Sequence, residues 1–390
     1  MLDCRYKILA AITVAIMLAG CSTSRNTAET DKALPQTTPF WSSLFQNVIS
    51  AEKEENVCLS PLSALTALAM TADGAEGKTL EQMNTILISD NKSKDFFKSL
   101  NEEEDGCEVK LANSIWINDK LDVRQDFIDG NREKFNALVN TIPFDKATAG
   151  KINAWCKENT NGKIESIVDK VEPYNMLFLI NALYFKAPWR NPFRSANTTR
   201  KAFTTEKGNV VNVEMMSQTL KTSYYIDDTV QIVTKPFKSR YDMLLVLPRY
   251  GKSIDDALTH LAVRYDSCIS DMERYNVELS MPKFKCEYKI ILNDALCEMG
   301  MRRPFGNEAE FGRISNAPLY IDNVVQKTYI NVDEEGAEAA AATAVSVGLM
   351  AMPERVKKAT MTIDSPFLYA IRDNVTNTIL FIGKVGNPNK

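Results

Sequence analysis

Chemistry in this chain would have to begin with a single imidazole. His260, inside DALTHLAVRY, is the only histidine among 390 residues. Hydrolases built on Ser-His-Asp or Cys-His put such a ring at the centre of the site, and HExxH zinc chemistry needs two. The apolar spacing around it instead predicts an amphipathic helix with His260 on the outer face. Neither GxGxxG nor GxxxxGK followed by Ser or Thr occurs, so no loop is composed to cradle phosphates. Carboxylates cluster in NEEEDG at 101–106 and DEEG at 333–336; these are turn-like compositions that give paired acid–base catalysis no positive support. Cys58, Cys107, Cys156, Cys268, Cys286 and Cys297 are scattered without a CxxC. They fit neither a zinc template nor a compact disulfide framework, and are expected to be mostly buried thiols, with any disulfide undetermined. Neither an enzyme nor a cofactor is expected.

One further stretch has an unusual composition: VDEEGAEAAAATAVSVGLMAMPERV at 332–356. Its alanine-rich part has strong helix propensity and can be read as an exposed helix. Read with period two, Ala337, Ala339, Ala341, Thr343, Val345, Val347 and Leu349 are all small or apolar. Glu338, Ser346 and Gly348 fall on the opposite face, among further alanines and Met350. That alternation belongs to a strand with one buried face. The segment follows QKTYINV, itself strand-like, without a turn signal that suits an ordinary hairpin. Its composition thus fits either an exposed helix or a segment with two states, exposed in one and inserted in a sheet in the other.

The elements around it are more conventional. Residues 40–49 have helical apolar spacing, and in NVCLSPLSALTALAMTADG Ser60 can cap a helix that starts at Pro61 and ends by Gly74. That helix is apolar almost all round, so it must lie inside the protein. LANSIWIN and MLFLINALYFKAPW read as strands, the second as a central strand covered on both faces. Asn181 within it must find partners, because an unpaired buried amide costs about 1–3 kcal/mol. YDMLLVLPRY, NVELSMPKFKCEY and TILFIGKVGNP are further strand candidates, and 255–272 and 290–299 turn helical. Helices dominate the first half and strands the second, which predicts an α+β fold. No Pro/Gly/Ser-rich linker interrupts 40–390, so it is expected to form one domain.

A net charge of −4 without a long basic block argues against a nucleic-acid partner or a polybasic membrane patch. The N-terminus has the layout of a secretory signal: Arg5 and Lys7, an apolar run, then small residues before Cys21. Leu18-Ala19-Gly20-Cys21 resembles the lipobox of bacterial lipoproteins, which implies removal of 1–20 and a lipid on Cys21. The other reading is a plain signal peptide cleaved near Gly20, with Cys21 a free thiol. Residues 21–39 look like a flexible tether. The lipobox implies a protein anchored in the bacterial envelope, and Ser22 resembles the residue of lipoproteins sent to the outer membrane, where the chain would face either the periplasm or the cell surface.

INVDEEGAEAAAAT closely resembles the hinge of the serpins, the metastable serine-protease inhibitors, and the similarity runs through nearly the whole chain from Phe40. NVCLSPLSALTALAMTADGAEGKT resembles their buried helix and shutter, with Ser60, Pro61 and Ser63 in matching places. LINALYFKAPWRNPF resembles the central strand, with Asn181 at the shutter and Trp189 at the breach. MPKF supplies Lys283 where the family often pairs a lysine with the hinge glutamate, here Glu334. SPFLYAIRDNVTNTILFIGKVGNP resembles the C-terminal signature. The resemblance implies a helix-rich shell around three β-sheets, one large and central, with an exposed reactive-centre loop; hinge and loop span 334–353.

The mechanism it implies is suicide inhibition. A protease attacks the loop, forms the acyl-enzyme, and is trapped when the hinge enters the central sheet as a new strand. Roughly 14 inserted residues at about 3.3 Å each would carry the protease some 45–50 Å. Glu334, Glu335, Gly336, Ala337, Glu338, Ala339, Ala340, Ala341, Ala342 and Thr343 form the expected hinge, with Gly336 as its swing and no bulk at 337–342. Family spacing puts the scissile bond between Met350 and Ala351, with a cut after Leu349 as the alternative. An unbranched apolar residue there suits elastase-like or chymotrypsin-like pockets and offers no cation to a trypsin-like one. Two departures stand out: Gln326 replaces a common shutter histidine, and Ser365 replaces the histidine before Pro-Phe. Glutamine still allows a bridge from Asn181 to the next strand. No basic face for a polysaccharide cofactor is evident at 91–106. The expected protein is a monomeric inhibitor; the alternative is a non-inhibitory serpin acting as a surface binding lipoprotein.

Overall fold

In the computed structural model, Leu177–Pro188, the run apolar on both faces, is strand β4, and nine of its residues in succession are buried. The structure describes residues 39–87, 106–338 and 356–390. The signal segment, Cys21, nearly all of the tether, Ala339 to Thr343, and Leu349, Met350 and Ala351 lie outside them. Odd-numbered β4 side chains such as Leu179, Leu183 and Phe185 join the main core, and Phe178, Ile180 and Ala182 join a second, smaller one. Period-two alternation thus feeds two cores from one strand.

β4 lies within a six-stranded sheet ordered β10-β11-β12-β4-β2-β3. Its other members are β2 (Glu108–Asn118), β3 (Leu138–Ile142), β10 (Phe284–Ile291), β11 (Asn323–Val332) and the two-residue β12 (Gly336–Ala337). The nine-stranded sheet contains β1 (Asn56–Leu59), β5 (Thr199–Thr204), β6 (Val210–Ile226), β7 (Val230–Pro236), β8 (Tyr241–Pro248), β9 (Glu273–Pro282), β13 (Lys357–Thr362), β14 (Phe367–Asp373) and β15 (Thr378–Val385). The α+β architecture is as expected, but the expected second and third sheets are continuous. The 17-residue β6 pairs with β5 and β9 along most of its length and with β7 at its end, which joins them.

Helices flank these sheets. They are α1 (Phe40–Ala51), α2 (Pro61–Ala72), α3 (Gly77–Leu87), α4 (Gln125–Phe135), α5 (Thr148–Asn159), α6 (Ile254–Ser270) and the short α7 (Asn293–Glu298). In α2 the Ser60 side chain accepts the Ser63 N–H, Pro61 occupies the first turn, and all but one residue is buried. Gly74 follows where a Cβ would fall 2.2 Å from Ile314 Cγ1, so the turn after α2 has room only for glycine.

Two expectations need correction. NVELSMPKFKCEY is not one strand: β9 ends at Pro282 and β10 starts at Phe284 in the other sheet. Pro282 has no N–H to continue a ladder, and Lys283 is left at the crossing point. His260 is only partly open to water; its Nε2 lies 2.9 Å from Asp227 Oδ2, because α6 turns this edge toward the β6–β7 turn. The thiol expectation is met, since the six described cysteines are free and five are buried. Among the described residues no helix is long and apolar enough to cross a membrane.

Candidate functional site

The seam between β4 and β11 is where the sequence-singled residues meet. The two strands pair in parallel, residues 323–328 of β11 against 178–183 of β4. Beyond Leu183 they part, and β12 enters between them, with Ala337 opposite Val332 on one side and Ala187 on the other.

In the paired part, polar side chains from three strands and α2 form one buried network. Gln326 Nε2 donates to Asn181 Oδ1 (2.7 Å) and to the Ser60 carbonyl (2.9 Å), while its Oε1 accepts the Ser60 N–H (2.8 Å). Asn181 Nδ2 donates to Asn113 Oδ1 (2.7 Å), and Ser63 Oγ donates to the same oxygen (3.1 Å). Register explains the meeting, because Gln326 is the neighbour of Asn181 in β11 and Asn113 its neighbour in β2. Asn113 was not singled out from sequence. Its signal was the same as that of Asn181, an amide inside an apolar strand.

At the parted end the contacts change character. Asp333 Oδ1 accepts the N–H groups of Glu335 (2.9 Å) and Gly336 (3.3 Å), which turns the chain back from β11 into β12. Trp189 clamps the turn: its backbone N–H donates to the Glu335 carbonyl (2.8 Å) and its Nε1 to the Asp333 carbonyl (2.9 Å). The indole is fully buried and stacks on Phe237 at 4.3 Å between centroids. A Cβ at Gly336 would lie 2.1 Å from the Ala187 carbonyl oxygen, so only glycine fits against β4 there. Ala337 is fully buried. Glu338 has a positive φ of 54°, and its carboxylate meets Lys163 at 3.0 Å.

Glu334 is held by Lys283 (2.9 Å) and by the Thr198 hydroxyl (2.7 Å), and Lys283 also lies 3.4 Å from Glu214. Burial works to raise the Glu334 carboxyl, but the hydrogen bonds from Lys283 and Thr198 outweigh it and hold it below its ordinary value. Burial works to lower Lys283, and Glu334 with Glu214 outweighs that in turn. Lys235, beneath the Trp189 and Phe193 rings at 5.2 and 4.4 Å, is pushed down to about 7 by burial. Thr198, Lys163 and Lys235 carried no signal in the sequence; only tertiary packing brings them here.

The structure therefore gathers Ser60, Ser63, Asn181 and Gln326 into one network, and Trp189, Lys283 and Glu334 to Glu338 into another.

Comparison with known proteins gives a consistent result. The family described as Serpin (serine protease inhibitor) matches residues 35–388. An uncharacterized serpin-like protein of Thermococcus kodakarensis is 34% identical over 353 residues, which cover 87% of this chain and 82% of that protein. A serine protease inhibitor of Cyanea capillata is 31% identical over 367 residues, covering 89% and 96%. Among solved structures, the thermophilic serpin tengpin in its native state superposes with a TM-score of 0.81 at 34% identity, over 90% of this chain and 93% of that one.

Proposed function

We propose, from the premise that this chain belongs to the serpin family, that it is an irreversible suicide-substrate inhibitor of elastase-like or chymotrypsin-like serine proteases. It acts as a monomeric trap, not as an enzyme. The observation that carries this reading is the seating of Gly336 and Ala337 between β11 and β4, in line with the seam that β4 and β11 close between themselves farther along.

Register supports how the rest would follow. β12 runs antiparallel to both neighbours, with Gly336 opposite Pro188 and Ala337 opposite Ala187 and Val332. Continued along β4, that register brings Ala339 opposite Phe185, Ala341 opposite Leu183 and Thr343 opposite Asn181. Continued along β11, it brings Thr343 opposite Gln326, so both neighbours agree on one inserted strand. Ala337, Ala339, Ala341, Thr343, Val345 and Val347 would then face the main core, where small and apolar side chains meet no desolvation cost. Insertion has to part the β4–β11 pairs and break the Gln326–Asn181 bond. The Thr343 hydroxyl would arrive at that position as a replacement partner.

Cleavage after Met350 would leave the protease esterified to that residue, and insertion would drag it along β4 before water completes deacylation. An SDS-resistant complex with an elastase-like or chymotrypsin-like protease, together with a released C-terminal fragment beginning at Ala351, is the expected result. A fragment beginning at Met350 would move the cut to Leu349. A cleaved loop with fully active protease would overturn the trap and leave the non-inhibitory, surface-binding alternative. For location we propose lipidation of Cys21 and anchoring in the bacterial envelope, at the outer membrane. Labelled palmitate should enter the full chain and be lost in Cys21→Ala.

A further inference from the structure

The one histidine of the chain contacts a carboxylate and a thiol outside the seam. His260 Nε2 lies 2.9 Å from Asp227 Oδ2 and 3.7 Å from Cys268 Sγ, and the three donor atoms all fall within 4.8 Å of one another. His260 and Cys268 stand about two turns apart on α6, and Asp227 comes from the turn after β6. We propose that Asp227, His260 and Cys268 form a binding site for a divalent cation of the zinc type.

The geometry distinguishes this from a Cys-His-Asp relay. A relay uses both ring nitrogens, one for the thiol and one for the carboxylate. Here the same nitrogen faces both groups, which is the arrangement a single metal ion between three donors requires. Tetrahedral zinc with bonds of about 2.0–2.3 Å sets its ligands roughly 3.3–3.7 Å apart. The nitrogen–sulfur separation already meets that, and the nitrogen–oxygen pair has to open by a few tenths of an ångström. The donor set of thiolate, imidazole and carboxylate is the one zinc favours.

The surroundings orient the ligands. Asp227 Oδ1 is fixed by the N–H groups of Thr229 (2.7 Å) and Val230 (2.9 Å), which leaves Oδ2 aimed at the cluster. The Tyr225 hydroxyl donates to Oδ2 at 2.8 Å, an outer contact of the kind that positions metal-bound carboxylates. Cys268 is fully buried while His260 and Asp227 remain partly open, so entry and a water in the fourth position come from their side. Binding would release the Cys268 thiol proton to solvent and leave neutral imidazole with its proton on Nδ1. The ion would staple α6 to the β6–β7 turn. Sequence spacing could not show the site, because it matches no CxxC or HExxH template and is assembled only by the fold.

Cobalt(II) alone, added to the full-length protein, tests this. The expected result is about one bound equivalent with a thiolate-to-cobalt charge-transfer band and a raised unfolding midpoint. Cys268→Ala should abolish the band, His260→Gln should weaken binding by at least ~10-fold, and Cys297→Ala should leave both unchanged. A band that survives Cys268→Ala, or cobalt bound without a sulfur band, would overturn the proposal. Should Cys268→Ala fail to fold, the partly exposed His260→Gln decides alone, and undiminished binding there has the same consequence.

Discussion

Around Asn181 and Gln326 the β4–β11 seam is closed by neutral amides and hydroxyls in full burial, whereas around Glu334 it is held by an ion pair that water still reaches. The neutral network has fixed partners and no titrating member, so it specifies one arrangement and resists changes of pH or salt. The charged end is adjustable, and it is also where β12 lies between β11 and β4. Strong closure thus sits further along the proposed path of insertion than weak closure. A strand inserting as proposed would meet its main barrier only after its first residues are seated.

Removing the bridge at the closed end should have the largest effect on stability. Gln326→Leu leaves the Ser60 N–H and Asn181 Oδ1 without their partner, while the Ser60 carbonyl keeps the Ala64 N–H. Each of these two orphaned buried groups costs about 1–3 kcal/mol, so a stability loss of roughly 2–6 kcal/mol is expected from the shift of the denaturant midpoint. An unchanged midpoint would mean that the two ends of the seam do not differ as described.

A second change separates insertion from stability. Ala337 is fully buried between β11 and β4, and Ala337→Glu would put a carboxylate there at a cost of several kcal/mol. Cleavage of the loop by the target protease should persist while the SDS-resistant complex disappears. Retention of the complex would show that the seating of β12 is not a step toward the trap.

Lys235, buried under Trp189, offers a pH test of the parted end. Burial lowers it from 10.5 to about 7, so between those values the unfolded chain binds the extra proton. Stability should therefore rise as pH increases from about 7 toward 10.5, by on the order of a few kcal/mol, with no further change from this group below 7. Lys235→Met should remove that slope, as followed by urea midpoints across the window, and Gln326→Leu should leave it in place.

Much of the seam was legible in the sequence for identifiable reasons. Ser60 and Pro61 announce a helix start through local chemistry, and that start survives unchanged in α2. Asn181 stands out because an amide in an apolar run demands a partner, and period two correctly assigns Ala337 and Glu338 to opposite faces. The pairing of Lys283 with Glu334 was suggested only by family resemblance, since 51 residues separate them in sequence. Asn113 carries the same signal as Asn181, an amide inside an apolar strand. Thr198, Lys235 and the Asp227–His260–Cys268 cluster carried none, because their contacts are made between elements whose mutual placement no local pattern encodes. Helix periodicity puts His260 on the outer face because it registers apolar neighbours and cannot register a carboxylate arriving from the β6–β7 turn.

The smallest effect is expected at Glu334, and its pH dependence tests the comparison most finely. Glu334→Gln removes the charge attraction to Lys283 but keeps an acceptor for the Thr198 hydroxyl, so the loss near neutral pH should be only about 1 kcal/mol. Because the folded carboxyl is held below its ordinary 4.5, the contribution is complete above that value and is lost as pH falls through the lowered one. Many other carboxylates titrate in the same range, so the informative quantity is the difference between the parent protein and Glu334→Gln. That difference should be constant above about 4.5 and shrink toward zero on further acidification, while the difference between the parent and Gln326→Leu stays flat. A Gln326→Leu gap that closed in parallel would mean that the closed end depends on charge after all.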